Sequence, residues 1–218
     1  MIGAGIGYIA SLLPFYALGA FPTGHLIARS RGVEIEQHGS GNVGATNVLR
    51  TLGKKAGALT FGGDFLKGAA AVSIASLISS DGAYTAAAGL AAVLGHCISI
   101  PGKLRGGKGV ATAFGVFAVQ CPLAAVIGLA AFGAALGLGR MVSLASIVGA
   151  LAAPLSALLI GAPDSELPAL GAIGLLVVVR HRANIQRITE GREPRIGAAV
   201  KGAPHTEDSP EHPNESGA

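Results

Sequence analysis

Apolar runs of 15 to 27 residues alternate along this chain with short polar, basic clusters. Each run is long and apolar enough to read as a membrane helix rather than a soluble core element. One crossing is expected over residues 2–28, and a hairpin over 56–80 and 83–100. A second hairpin is expected over 142–161 and 165–180. Between the hairpins, residues 109–139 carry Pro122 near their midpoint, after Gln120 and Cys121. Two halves of about 15 residues give roughly 22 Å of helix each against roughly 30 Å of hydrocarbon. They are either two short crossings or a re-entrant pair. The reading is therefore all-α and polytopic, with seven transmembrane helices, two of them short.

Composition supports this. The 218 residues are 50% hydrophobic and only 13% charged, with mean hydropathy +0.57. Thirty-four glycines and no tryptophan suit closely packed membrane helices. No Lys or Arg precedes Arg29, so the first run lacks the basic start of a signal peptide and is expected to be a true span. Cys97 and Cys121 have no metal-ligand spacing and read as small buried side chains.

Charge then orients the spans. The 16 Lys and Arg residues fall at 29–55, Lys67, 103–108, Arg140 and 180–201, while the turns at Asp81 and Asp164 hold acids and no bases. The positive-inside rule puts the basic clusters in the cytoplasm, the amino terminus outside and the carboxyl terminus inside. Residues 1–196 form one membrane domain, and 197–218, rich in Pro and acids, read as a disordered tail. Removing that tail's four acids and one lysine from the chain's 12 and 16 leaves a formal charge of +7. Most of this is a topology signal and an attraction for anionic lipid; part can gather anionic substrates. No nucleic-acid partner is expected.

Three polar clusters share that cytoplasmic face. In HGSGNVGATNVLR, residues 38–50, Gly39, Gly41 and Gly44 can take backbone angles that let amide N–H groups converge on an anion. Ser40, Asn42, Thr46 and Asn47 add neutral hydrogen-bonding groups, and Arg50 a fork that matches phosphate. In LRGGKGVAT, residues 104–112, Gly106, Gly107 and Gly109 bare the backbone at a helix start, beside Arg105 and the mobile charge of Lys108. Gly102 to Lys108 fits a Walker pattern, but Gly109 stands where Ser or Thr should hold magnesium and no strand precedes it. In RHRANIQRITEGREP, residues 180–194, His181 and Asn184 share a helix face. Arg180, Arg182 and Arg187 read as charges that stop the last span, and Glu193 as an anchor to a base of another cluster. Within a span, Asp64 and Lys67 of GGDFLKG should pair, with Lys67 also a candidate for substrate contact. His25 and His96 read as packing or interfacial residues.

Taken in order, GSGNVGATNVLR, DFLKG, a GH followed after eight residues by RGGKGVATAFG, and HRANIQRITEGREP resemble the bacterial acyl-phosphate:glycerol-3-phosphate acyltransferases of the PlsY type. The similarity runs from about Pro22 to Pro194. It implies a multi-pass inner-membrane enzyme with its active site on the cytoplasmic face. The reaction would pass a fatty acyl group from acyl phosphate to the 1-hydroxyl of glycerol 3-phosphate, yielding lysophosphatidate and phosphate. This is the first acylation step of phospholipid biosynthesis. The resemblance implies no acyl-CoA, metal or other cofactor, and makes the soluble enzyme that supplies acyl phosphate a candidate partner. It assigns essential roles to Ser40 and Arg50, and glycerol phosphate binding to Gly106, Gly107, Lys108 and Gly109. His181, Asn184 and Glu193 match its third motif. Members commonly carry a proline and aromatics before the glycines, ending in Phe-Lys; this chain has CISIPGKLR, with Ser99 at the proline position and Arg105 for lysine.

Ser40, Arg50, Lys108, His181 and Asn184 are thus the candidate catalytic set. Attack by the hydroxyl can be direct or pass through an acyl-Ser40, and the proton acceptor is His181 or a phosphate oxygen. A transporter of a phosphorylated solute is the alternative, since it too wants a basic membrane pocket.

Overall fold

Proline and glycine break the apolar runs where the chain needs them to turn. In the computed structural model, which describes residues 2–98 and 106–197, α1 runs over Ile2–Gly19 and α2 over Thr23–Arg29. The crossing expected over 2–28 is thus built of two consecutive helices rather than one. Pro22 disfavours helical angles at Phe21 and brings no N–H of its own; the Phe21 carbonyl, outside both helices, accepts the Thr23 N–H at 3.0 Å and has room for a second donor. Lys67 Nζ is that donor, at 3.2 Å.

A 3-10 turn at Ile35–Gln37 leads to α3, Ala45–Leu52, and α4, Lys54–Ile78, with Gly53 at φ +85° turning the chain between them. Then come α5, Gly82–Ile98, α6, Val110–Gln120, α7, Pro122–Gly139, α8, Val142–Leu159, α9, Leu167–Arg180, and α10, Arg182–Thr189. There is no strand among the described residues. Pro122 does divide 109–139, as its first-turn position in α7 allows. The halves are unequal, however. The glycine loop holds α6 to 11 residues, whereas nothing interrupts α7 for 18. Arg105 and the tail from Ala198 lie outside the described residues.

The Gly5–Arg29 stretch, α4, α7 and α8 are each long and apolar enough to cross a membrane, and α5, α6 and α9 are shorter apolar helices. Glycines set how closely they pack. A Cβ on Gly115 would overlap the Phe65 carbonyl, and one on Gly68 the Thr112 carbonyl, so α4 and α6 meet backbone to backbone. Gly19 and Gly95 do the same for α1 and α5, against Ala92 and Tyr16. Small residues are what permit such contact where water gives no drive to associate. One apolar cluster joins α4–α9 around Val93, Val116, Leu170 and Val177, and a second joins α1, α4 and α5 around Phe15 and Tyr84. A third, small cluster of Ala28, Ile35, Val43, Val48 and Ala56 underlies residues 38–50.

Candidate active site

That third cluster gives the first polar motif a floor. Above it, Asn47 is buried and its side chain binds the loop in front of it. Its Oδ1 accepts the Ser40 N–H at 2.9 Å, and its Nδ2 donates to the His38 carbonyl at 2.9 Å. Gly39 and Gly41 take φ +60° and +68°, as expected, but Gly44 is extended at φ −75°. Its N–H instead donates to Asn42 Oδ1 at 2.8 Å, closing a tight turn before α3. Asn42 and Asn47 therefore shape the loop, while Ser40 and Arg50 are exposed and Thr46 half-buried at the start of α3.

The glycine loop is gripped from two sides. Gly107 N–H donates to the His96 carbonyl at 3.0 Å. Arg180 donates from Nε to the Gly107 carbonyl at 3.1 Å and from Nη2 to the Gly106 carbonyl at 3.0 Å. Gly109, at φ +81°, caps α6, so the helix's positive end faces the loop.

Lys108 links this loop to the third motif. Its Nζ donates to Asn184 Oδ1 at 2.6 Å; Asn184 Nδ2 donates to Glu193 Oε1 at 2.7 Å; and Arg187 Nε donates to Glu193 Oε2 at 2.7 Å. Glu193 thus pairs with a base of its own cluster, and the link between clusters is made by Asn184. Burial draws the Lys108 ammonium down to about 8; Glu193 opposes this, while Arg187, Arg50 and Arg180 add to it. Burial would raise the Glu193 carboxyl, but Ser143, Asn184 and Arg187 outweigh it and hold the group below its usual value. The buried Ser143 hydroxyl, at the start of α8, faces this carboxylate without completing a hydrogen bond.

His181 stands between α9 and α10, only 2% exposed, with Nδ1 at 2.7 Å from the Val177 carbonyl. A carbonyl can only accept, so the proton sits on Nδ1 and Nε2 keeps its lone pair. Burial lowers its pKa to about 4, with Lys108 and Arg180 adding to the shift. One turn further on, the segment after Glu193 is tied down: Ile196 N–H donates to the Arg140 carbonyl at 2.7 Å, and Arg140 Nη2 donates to the Ile196 carbonyl at 3.0 Å. Arg140 ends α7 at φ +55°, the one left-handed non-glycine among the described residues.

Behind the glycine loop lies a buried polar cluster. Lys67 Nζ is 2.9 Å from Asp64 Oδ1, and His96 Nδ1 is 3.5 Å from the same oxygen. The expected Asp64–Lys67 pair forms. His96 belongs to it too, and so is more than a packing residue. A small cavity runs from these side chains past Phe21–His25 to Gly106 and Gly107. The structure therefore brings Arg50, Lys108, His181, Asn184 and Glu193 into one electrostatic neighbourhood and sets Lys67 beneath the loop. Sequence reasoning missed Arg180, Arg187 and Ser143. At a span's end, arginines that bind loops look the same as arginines that merely mark topology.

A profile of glycerol-3-phosphate acyltransferases matches residues 9–191. The Geotalea daltonii glycerol-3-phosphate acyltransferase is 45% identical over 85% of this chain and 95% of its own length, and the Geobacter sulfurreducens protein of that name is 44% identical over 84% and 94%. Two crystal structures of PlsY (YgiH), an integral membrane glycerol 3-phosphate acyltransferase, are similar throughout. The glycerol 3-phosphate form superposes with a TM-score of 0.82 and the lysophosphatidic acid form with 0.80, each at 41% identity over 88% of this chain and 96% of the other.

Proposed function

The chain belongs to the glycerol-3-phosphate acyltransferase family, and from that premise we propose how it performs its reaction. It is a membrane enzyme that acylates glycerol 3-phosphate to lysophosphatidic acid. The donor in our reading is acyl phosphate and the acceptor is the 1-hydroxyl. Convergence of Arg50, Arg180 and the partly buried Lys108 on one positively charged neighbourhood at the glycine loop carries this reading, since both substrates are phosphorylated. The site lies at the cytoplasmic rim of the inner membrane, in a chain of seven crossings with its amino terminus outside. The acyl chain stays among the helices.

Arg50 and Lys108 hold the phosphates, with Arg105 adding positive charge, and the loop's N–H groups complete one pocket, except that of Gly107, which is spent on the His96 carbonyl. Ser40, Thr46 and Asn184 orient the reacting groups on loops that Gly39, Gly41, Asn42 and Asn47 shape. Glu193 fixes the Asn184 amide, and Lys67 supports the loop from behind. His181 Nε2 accepts a hydrogen bond from the substrate hydroxyl. The oxygen attacks the acyl carbonyl carbon, the carbon–oxygen bond to phosphate breaks, and phosphate leaves with the bonding electrons. The hydroxyl proton passes to a phosphoryl oxygen. A phosphate monoester has its second pKa at about 6, above the value of about 4 at His181, so phosphate is the stronger base. Attack is direct, because among the described residues no base is hydrogen-bonded to the Ser40 hydroxyl, and the nearby His38 has its Nδ1 at 2.9 Å from the Glu34 carbonyl. The protein's share is chiefly positioning and charge stabilisation.

Purified protein given acyl phosphate and radiolabelled glycerol 3-phosphate, without CoA, should release lysophosphatidate and phosphate. Product formed only with acyl-CoA would overturn the donor assignment. Radiolabelled acyl groups trapped on Ser40 would overturn direct attack.

A further inference from the structure

Arg180 closes α9 with a charge that membrane topology alone would supply. Arg182, two residues on, is the natural comparison. Arg182 is exposed in the first turn of α10. Arg180 is half-buried, and its guanidinium takes two consecutive carbonyls, of Gly106 at 3.0 Å and Gly107 at 3.1 Å. A topology charge needs neither bond, because headgroups and water would satisfy it.

Those two bonds decide which way the loop's peptides point. A peptide unit is planar and trans, so its C=O and the following N–H point in opposite directions. The Gly106 carbonyl faces Arg180, and the Gly107 N–H accordingly faces α5, where it meets the His96 carbonyl at 3.0 Å. The Gly107 carbonyl also faces Arg180, so the Lys108 N–H points away from that guanidinium. Glycine peptides invert at little cost. An inverted Gly107–Lys108 unit would turn a carbonyl oxygen, not an N–H, to the far side. Close packing confines the loop, since a Cβ on Gly106 would overlap the Cys97 carbonyl and one on Gly107 the His96 ring, but it does not by itself choose which way each peptide carbonyl points.

We propose that Arg180 is a positioning residue for phosphate recognition: it holds the Gly106 and Gly107 carbonyls off the anion site, so that the loop offers the Lys108 N–H beside the Lys108 ammonium. This rests on the reading above that the glycine loop binds a phosphate. Arg180 itself touches no substrate.

The test compares Arg180→Gln, Arg180→Lys and Arg182→Gln in the full-length protein in detergent. Arg180→Gln and Arg182→Gln remove the same charge from the same membrane edge, so a purely topological role predicts equal effects. Arg180→Gln should raise KM for glycerol 3-phosphate roughly tenfold or more, the weight of a charged hydrogen-bond pair, with a much smaller change in kcat. Arg182→Gln should stay within about twofold of the parent, the range for an exposed charge. Arg180→Lys, which can reach one carbonyl but not fork between two, should fall between. Equal KM in Arg180→Gln and Arg182→Gln would overturn the proposal. Should Arg180→Gln not fold, Arg180→Lys decides: a parental KM there means charge, not the fork, is what matters, and the proposal falls. Equilibrium binding of glycerol 3-phosphate, measured beside turnover, keeps the two readings apart. Weakened binding in Arg180→Gln supports the positioning role even if the parent shows no acyl transfer. Normal turnover in both parent and variant removes the role and leaves the acyltransferase intact.

Discussion

Lys108 must be charged to hold a phosphate, yet burial has drawn its pKa to about 8. The sign follows directly: the ammonium is present below that value and is lost above it. Binding of glycerol 3-phosphate should be level near pH 7, above the substrate's own second phosphate pKa of about 6, and kcat/KM should fall nearly tenfold per unit well above about pH 8. Lys108→Arg, charged throughout, should abolish that alkaline fall even if it lowers the rate. An unchanged fall in the Arg variant would remove Lys108 as its source. His181, at about 4, stays neutral over the same range and adds no acid limb between about pH 5 and 8. Asn184 joins Lys108 to Glu193 through both ends of its amide. Asn184→Ala should cost about 1.5–3 kcal/mol in kcat/KM, or roughly 10- to 150-fold. A loss under about threefold in steady-state assays would show that the link is dispensable. Residue types were legible in the sequence here, but partners were not. Asn184 read as a member of the catalytic set, and only folding sets it between two charges that come from 76 residues before it and 9 after.

At the scale of elements, α4 carries Asp64 and Lys67 one turn apart, and that spacing alone foretold their pairing. Nothing in it could announce His96 from α5 or the Phe21 carbonyl from the α1–α2 break. Asp64→Asn would leave the Lys67 ammonium buried with half its support, and should cost about 3–5 kcal/mol of stability, read as a lower Tm in detergent. Adding Lys67→Met should recover part of that loss, because two neutral groups avoid an unpaired charge. A double variant less stable than Asp64→Asn alone would contradict this account. Helix lengths were less legible than helix existence. Pro122 marked a boundary correctly, but the short extent of α6 depends on where the glycine loop is fastened, by groups of α5 and α9. The bend at Pro22 shows the opposite weakness. Its neighbours are apolar enough to read as one span, and hydropathy does not register a single missing N–H.

For the whole molecule, the positive-inside pattern makes a claim that chemistry at each end can check. Cysteines introduced at Ser40 and Arg182 should react with a membrane-impermeant thiol reagent from the cytoplasmic side only, and those at Asp81 and Asp164 from the opposite side only. Cys97 and Cys121 are buried and should contribute little background. Labelling of Ser40→Cys and Arg182→Cys from different sides would dismantle the proposed arrangement. Lone Arg140 entered the sequence reading only as one more cytoplasmic charge, yet it is stitched to Ile196 by both backbone and side chain. Those stitches sit three residues past Glu193, which ties Asn184 and Arg187 together. Shortening the protein therefore has a sharp threshold. Ending it at Gly197 spares the fastening and leaves room for fused tags beyond. Ending it at Glu193 retains each side chain proposed to meet substrate but frees the carboxylate's tether, so catalysis should fail before any contact residue has been cut away.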